Sequence, residues 1–230
     1  MNILITGASR GIGLEIVRYG IEHNWRIYAC CRHPQNASSL ISLARLANGR
    51  VSMHVVDMNE LATVQALAYE LRNEAIDVLI NNAGIYGSDK NRFGQVDVGS
   101  WLEAFQVNCI APLKMAESLI EQLTAGQMKT IACLSSKMGS MADNRSGNSY
   151  IYRASKAALN AVVKSLSIDL KSRGIKCVAL HPGWVKTDMG GPDAEIDTRQ
   201  SVEALFRNIL ALKPADSGRF IDIDGSDIPW

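Results

Sequence analysis

The chain reads as an α/β protein, a single doubly wound domain with about seven parallel strands and helices on both faces. Three observations predict this. Short runs rich in branched residues alternate with longer segments of helical period along all 230 residues, the pattern of repeated strand–helix–strand units. The runs are continuously apolar, as strands covered on both faces must be. A glycine cluster follows the first run directly, where a strand-to-helix turn is expected to bind a ligand.

In chain order, strands are expected at Asn2–Thr6, 26–30, 51–56, 77–81, Thr130–Leu134, Lys176–Leu180 and 219–223. Between them, Leu61, Val64, Leu67, Ala68 and Leu71 form one apolar helical stripe, and Leu113, Ala116, Leu119, Ile120 and Leu123 another. A third helix begins near Tyr152 and carries Leu159, Val162, Val163, Leu166 and Leu170. The last, with Val202, Leu205, Phe206, Ile209 and Leu210, ends before Lys213-Pro214. No repeat or linker divides the chain.

Bulk composition removes several function classes. A net charge of +1 without a Lys/Arg block offers no field for nucleic acid. No apolar stretch approaches the ~20 residues of a membrane helix, and the first strand runs straight into the glycine turn, leaving no room for a signal peptide. Five cysteines with no CxxC pair read as buried, reduced thiols of a cytoplasmic protein, and no metal site is expected.

The first strand ends in Thr6-Gly7-Ala8-Ser9-Arg10-Gly11-Ile12-Gly13. Glycines there permit the tight turn and let backbone N–H groups and a helix N-terminus approach a pyrophosphate. The second strand ends in Cys30-Cys31-Arg32-His33, with no carboxylate to hold the ribose hydroxyls of NAD. Arg10 and Arg32, each unremarkable alone as a surface charge, together suit a 2′-phosphate and point to NADP. Asp57 follows the third strand and can accept from an adenine amino group or cap a helix. Asn81-Asn82-Ala83-Gly84 closes the fourth with residues small enough for close approach to a ribose.

Tyr152-Arg153-Ala154-Ser155-Lys156 puts a phenol and an ammonium four residues apart on one helix face. A phenol titrates near pH 10, and a nearby positive charge is expected to lower that value towards the working range. The fifth strand ends in Ser135-Ser136, where a hydroxyl can hold a substrate carbonyl against the phenol. Asn108 interrupts an otherwise apolar helical stretch and suits either a buried backbone contact or a functional role. His181-Pro182-Gly183-Trp184-Val185-Lys186-Thr187 follows the sixth strand. Its turn and Thr187 suit a nicotinamide carboxamide, while His181 reads as a structural strand end.

Taken together, these motifs resemble the short-chain dehydrogenase/reductase family over nearly the whole chain, a family with the Rossmann fold. The resemblance implies a catalytic tetrad of Asn108, Ser136, Tyr152 and Lys156, with Ser136 preferred to Ser135 because it precedes Gly139 by three residues. Asn108 is then expected to anchor a water relaying protons to Lys156. The cofactor set implied is Gly7, Ser9, Arg10, Gly11, Ile12, Gly13, Arg32, Asp57, Met58, Asn82, Ala83, Gly84, Tyr152, Lys156, Pro182, Gly183, Val185 and Thr187. The stretches 135–140, 143–145, 152–160 and 181–185 and the terminal Asp224–Trp230 are similar to the C-factor/sniffer subgroup of carbonyl reductases.

Ser136 and Tyr152 lie 16 residues apart, further than is usual in the wider family, so a loop around 140–148 should bulge beside the substrate mouth. A short lid is expected at 189–201, and an apolar pocket from Met138, Tyr150, Trp184 and Met189. The expected activity is NADP(H)-dependent interconversion of a small carbonyl and an alcohol, with Tyr152 exchanging the proton. The alternative is a C-factor-like signalling or nucleotide-binding protein that needs no turnover. An epimerase or dehydratase of nucleotide sugars is disfavoured, since no substantial substrate domain follows. By resemblance, a homodimer or homotetramer forms through helices near 101–123 and 153–170.

Overall fold

The computed structural model describes residues 1–230. Seven strands form one parallel sheet in the order β3-β2-β1-β4-β5-β6-β7. They are β1 (Asn2–Thr6), β2 (Arg26–Cys31), β3 (Val51–Val55), β4 (Val78–Asn81), β5 (Thr130–Leu134), β6 (Lys176–Leu180) and β7 (Phe220–Ile221). The expected strands are all present, with ends trimmed or extended by up to two residues. β1 lies between β2 and β4, so Ile5 is in register with Ala29 on one side and Ile80 on the other. The strand order reverses there, and the carboxyl ends of the strands open into a crevice at that switch point.

The eight helices are α1 (Gly11–Glu22), α2 (Ser38–Leu46), α3 (Leu61–Glu70), α4 (Val98–Phe105), α5 (Ala111–Ser118), α6 (Ile120–Ala125), α7 (Tyr150–Asp169) and α8 (Thr198–Ala211). They cover both faces of the sheet, and strand alternation sorts the core into two layers. Leu4, Tyr28, Leu79, Ile131 and Cys177 face Val64, Leu67, Met115, Leu159 and Val163 of α3, α5 and α7. Ile3, Ile5, Ile27, Ile80 and Leu180 face Ile16, Val17, Leu40, Leu205 and Phe206 of α1, α2 and α8. Burying each such side chain contributes roughly 1.5–3 kcal/mol.

Three local features depart from the periodicity reading. The stripe from Leu113 to Leu123 is two helices broken at Leu119, which turns out of helical geometry between α5 and α6. Residues Gln106–Ile110 form one π-helical turn between α4 and α5, with Asn108 at its middle. Thr198–Ser201, expected in the lid, are the first turn of α8, started by the Asp197–Gln200 capping box. No helix is long and apolar enough to cross a membrane, and all five cysteines are buried and free.

Candidate active site

A cavity of about 500 Å³ runs along the carboxyl ends of the strands, from the glycine turn after β1 to the first turns of α7. The glycine turn is shaped by two positions. Gly7 adopts a φ of +70°, which side-chain-bearing residues rarely take. A Cβ at Gly13 would fall 2.1 Å from the carbonyl oxygen of Gly7, so only glycine lets α1 begin this close to the loop. α1 itself has no side-chain cap and no acidic residue in its first turn. Its free N–H groups and positive dipole end suit an anion.

The turn is stitched to the neighbouring strand. Asn82 Nδ2 donates to the carbonyls of Thr6 (2.8 Å) and Gly7 (3.2 Å), while Thr6 Oγ1 accepts from the N–H groups of Asn82 and Ala83. Asn82 therefore braces the cleft floor with its side chain. Asp57 caps no helix: its Oδ1 accepts from the N–H of Asn59 at 2.9 Å, and the N-cap of α3 is Glu60, which makes no side-chain capping bond. Arg10 and Arg32 are exposed at the rim, and Arg10 Nη1 lies 2.7 Å from Asp188 Oδ2 across the mouth.

The other end of the cavity is buried and polar. Tyr152 and Lys156 are 9% and 4% exposed. Lys156 Nζ donates to the carbonyl of Leu134 at 2.7 Å and lies 5.7 Å from the centre of the Tyr152 ring. Burial holds Lys156 down at about 8 and pushes Tyr152 up to about 12, although the Ser136 hydroxyl beside the phenol pulls the other way. The expected lowering of the phenol by lysine is thus reversed in this structure. Burial dominates, while Lys156 is turned to the Leu134 carbonyl.

Of the two serines, Ser136 sits beside Tyr152, while Ser135 Oγ donates to Asn160 Oδ1 at 2.6 Å inside the core. The serine turn packs hard on α7, since a Cβ at Gly139 would fall 2.9 Å from Lys156 backbone. Asn108 Oδ1 and Lys156 Nζ both border Gly84, where a Cβ would fall 3.2 and 3.5 Å from them. The Asn108 amide pairs with both backbone groups of Ile85 (2.9 and 2.8 Å) and donates to Ser155 Oγ (2.9 Å), which in turn donates to the Tyr152 carbonyl. The side chain fixes the strand-end loop and the first turn of α7.

The cavity gathers Gly7, Ser9, Arg10, Gly11, Ile12, Gly13, Arg32, Asp57, Met58, Asn82, Ala83, Gly84, Tyr152, Lys156, Pro182 and Thr187. Gly183 and Val185 stand outside it. Val185 is buried in a bridge with Ile196, and Gly183, at a φ of +84°, packs under Ile196 and Ile223. His181 stays neutral, held down to about 4 by burial, with Asp222 and Lys137 acting on it in opposite senses. Of the expected pocket residues only Met189 lines the cavity; Tyr150 and Trp184 are half exposed outside it.

Sequence reading missed Tyr86, whose ring stacks on Tyr152 with centroids 4.6 Å apart and whose hydroxyl meets Ser149 Oγ at 2.9 Å. It also missed Asp188, next to the expected Thr187, and Ser155, whose only signal was its place between Tyr152 and Lys156. The loop at 140–148 does project: Arg153 pins it through the Gly147 carbonyl and Ser146 Oγ.

The family model described as short chain dehydrogenase matches residues 1–197. The chain belongs to the short-chain dehydrogenase family. It is 43% identical to the C-signal of Myxococcus xanthus over 167 residues, 73% of this chain and all of that protein. Among solved structures, the carbonyl reductase Sniffer of D. melanogaster superposes with a TM-score of 0.92 at 32% identity, covering 100% of this chain and 99% of that one. The NADPH-bound carbonyl reductase from chicken fatty liver superposes equally well, with a TM-score of 0.92, 32% identity and coverage of 100% and 98%. Short-chain dehydrogenase membership, the seven-stranded parallel sheet and the likeness to carbonyl reductases therefore agree.

Proposed function

We propose that this short-chain dehydrogenase is an NADP(H)-dependent reductase of small carbonyl compounds, with Tyr152 as the proton donor. The carrying observation is that one cleft joins the uncapped N-terminus of α1 and two rim arginines to the buried Tyr152 and Lys156. NADP(H) fits this donor set. The α1 N-terminus and the Gly7–Gly13 cradle suit the pyrophosphate, Arg10 and Arg32 suit the 2′-phosphate, and no carboxylate follows β2 to oppose it. Met58, Ala83, Gly84, Pro182 and Thr187 complete the walls. The NADPH-bound relative supports the same assignment.

When bound, the nicotinamide supplies the hydride. This chain's residues handle the proton and the orientation. Ser136 holds the carbonyl oxygen and Tyr152 protonates it. A phenol raised to about 12 enters the reaction protonated, as the donor to a carbonyl oxygen must. Lys156, with three donors of which the Leu134 carbonyl engages one, would hold a ribose hydroxyl, and as an ammonium it eases re-protonation of Tyr152. Asn108 holds the Ile85 loop and α7 in mutual register. Buried free thiols suit a reducing compartment, and we place the protein in the cytoplasm as one domain. The exposed Val98 and Leu102 on α4 and Ile168 on α7 support a homodimer or homotetramer through these helices.

NADPH oxidation across a panel of aldehydes, ketones and quinones tests this. Tyr152→Phe should cut kcat by roughly 10²–10⁴-fold while NADPH affinity holds. Equal rates for the two proteins, or no rate with any carbonyl, would sink the reading. The likeness to the C-signal favours one rival, a signalling role without turnover. In that case Tyr152→Phe keeps its full biological effect.

A further inference from the structure

After β7 the chain turns back towards the site. The N–H of Asp222 donates to the Ser226 carbonyl and the N–H of Ile228 to the Phe220 carbonyl, each at 2.8 Å. Trp230 then lies against the Phe220 ring with centroids 5.6 Å apart. This returning segment grips the stretch directly after Ser136 at three points. Lys137 Nζ lies 2.5 Å from Asp222 Oδ2. Ser140 Oγ donates to the Pro229 carbonyl, and the N–H of Ala142 donates to the Trp230 carbonyl at 3.1 Å.

The ion pair is shielded at its acidic end. The Asp222 side chain is 11% exposed, and its second oxygen accepts from the N–H of Ile223 at 2.8 Å, so the carboxylate is shielded and oriented. Lys137 in turn is held protonated by it. Partly buried, geometrically constrained pairs of this kind couple their elements more strongly than exposed pairs. Lys137 is the residue after Ser136, and the Ser136 hydroxyl accepts from the N–H of Met138 at 3.1 Å in the same turn. A shift of the turn at Lys137 therefore shifts that hydroxyl relative to Tyr152.

We infer that Lys137 and Asp222 are positioning residues for Ser136: their ion pair, backed by the Pro229–Trp230 clamp on Ser140 and Ala142, locks the serine turn to the last strand. This rests on the reading of Ser136 as the residue that orients the carbonyl. The last segment of the chain thereby becomes part of the catalytic frame, although none of it lines the cofactor cleft.

The test uses the full chain with NADPH and the carbonyl of highest rate in the panel. Lys137→Met and Asp222→Asn should each lower kcat about tenfold, against a larger loss for Ser136→Ala, as expected for a small misplacement of a reacting contact. NADPH Kd and carbonyl KM should stay within about twofold, which a general loss of structure would not allow. The double variant should be no worse than either single one, and Lys137→Arg should recover most of the rate. The Lys137 side chain is half exposed, so Lys137→Met keeps the fold, which thermal unfolding verifies. Wild-type kcat in Lys137→Met and Asp222→Asn beside a crippled Ser136→Ala overturns the positioning role alone. Losses that multiply in the double variant also overturn it. A fully active Ser136→Ala overturns the reading of Ser136 itself.

Discussion

The two ends of the cleft are built on opposite principles. At the β1–β2 end, recognition rests on main-chain N–H groups, a helix terminus and exposed charges, and the one ion pair there, Arg10–Asp188, has both partners more than 70% exposed. At the other end, Asn108, Ser155, Lys156, Ser135 and Asn160 are buried and each is hydrogen-bonded inside the protein: Asn108 to Ser155, Ser135 to Asn160, Lys156 to the Leu134 carbonyl. Exposed charges select a ligand at little cost to the fold. A buried polar network is costly to break, since each orphaned group loses its partner and has no water to replace it. One end is therefore tunable, and the other is rigid.

The contrast can be broken most sharply at Asn108. Asn108→Ala orphans both Ile85 backbone groups and removes a partner of Ser155, so unfolding in urea should show a loss of about 3 kcal/mol or more. A loss below ~1 kcal/mol would mean that the buried end is not rigid. Next comes Lys156→Met. The lysine titrates near 8 in the fold and near 10.5 unfolded, so between these values the unfolded chain binds more protons and stability gained from this residue rises with pH. The variant lacks that rise. Its stability advantage over wild type should shrink by about 2 kcal/mol from pH 8 to pH 10. The raised pKa values of Tyr28, Tyr152 and the buried cysteines other than Cys133 tilt both curves the other way and cancel in the difference; Cys133, on which Lys156 acts directly, is the exception.

At the open end the effects move to binding. Arg10→Ala and Arg32→Ala should each weaken NADPH about tenfold, leave NADH unchanged, and flatten the salt dependence of NADPH binding, all read by fluorescence titration. Equal losses for NADH would remove the arginines from cofactor choice. Smallest of all, Asp188→Ala should shift unfolding by less than ~1 kcal/mol, since the pair is exposed and screened.

What could be read from the residues divides along the same line. The strands were legible because burial on both faces writes continuous apolar runs, and the glycine turn because backbone shape there demands a particular residue type. The break at Leu119 was hidden, since its apolar stripe continues in phase across both helices. The π-helical turn was hidden too; Asn108 marked the place but not the Ile85 backbone it grips, 23 residues away. The same distance problem concealed the Tyr86–Tyr152 stack and the Lys137–Asp222 pair, in which contacts join segments that carry no shared pattern. The raised pKa of Tyr152 was not legible either, because spacing along a helix says nothing about how deeply a phenol is buried.

The strand order has a consequence for how the molecule is made. β1 lies inside the sheet, and its partner β4 begins at Val78, far down the chain from Thr6. While residues 1–77 are being synthesised, β1 can pair only with β2, leaving the N–H and C=O groups of its other edge unpaired on a strand of apolar side chains. Such an edge is a template for intermolecular pairing. A nascent chain of this protein thus has a vulnerable interval that closes only when Val78–Asn81 arrives.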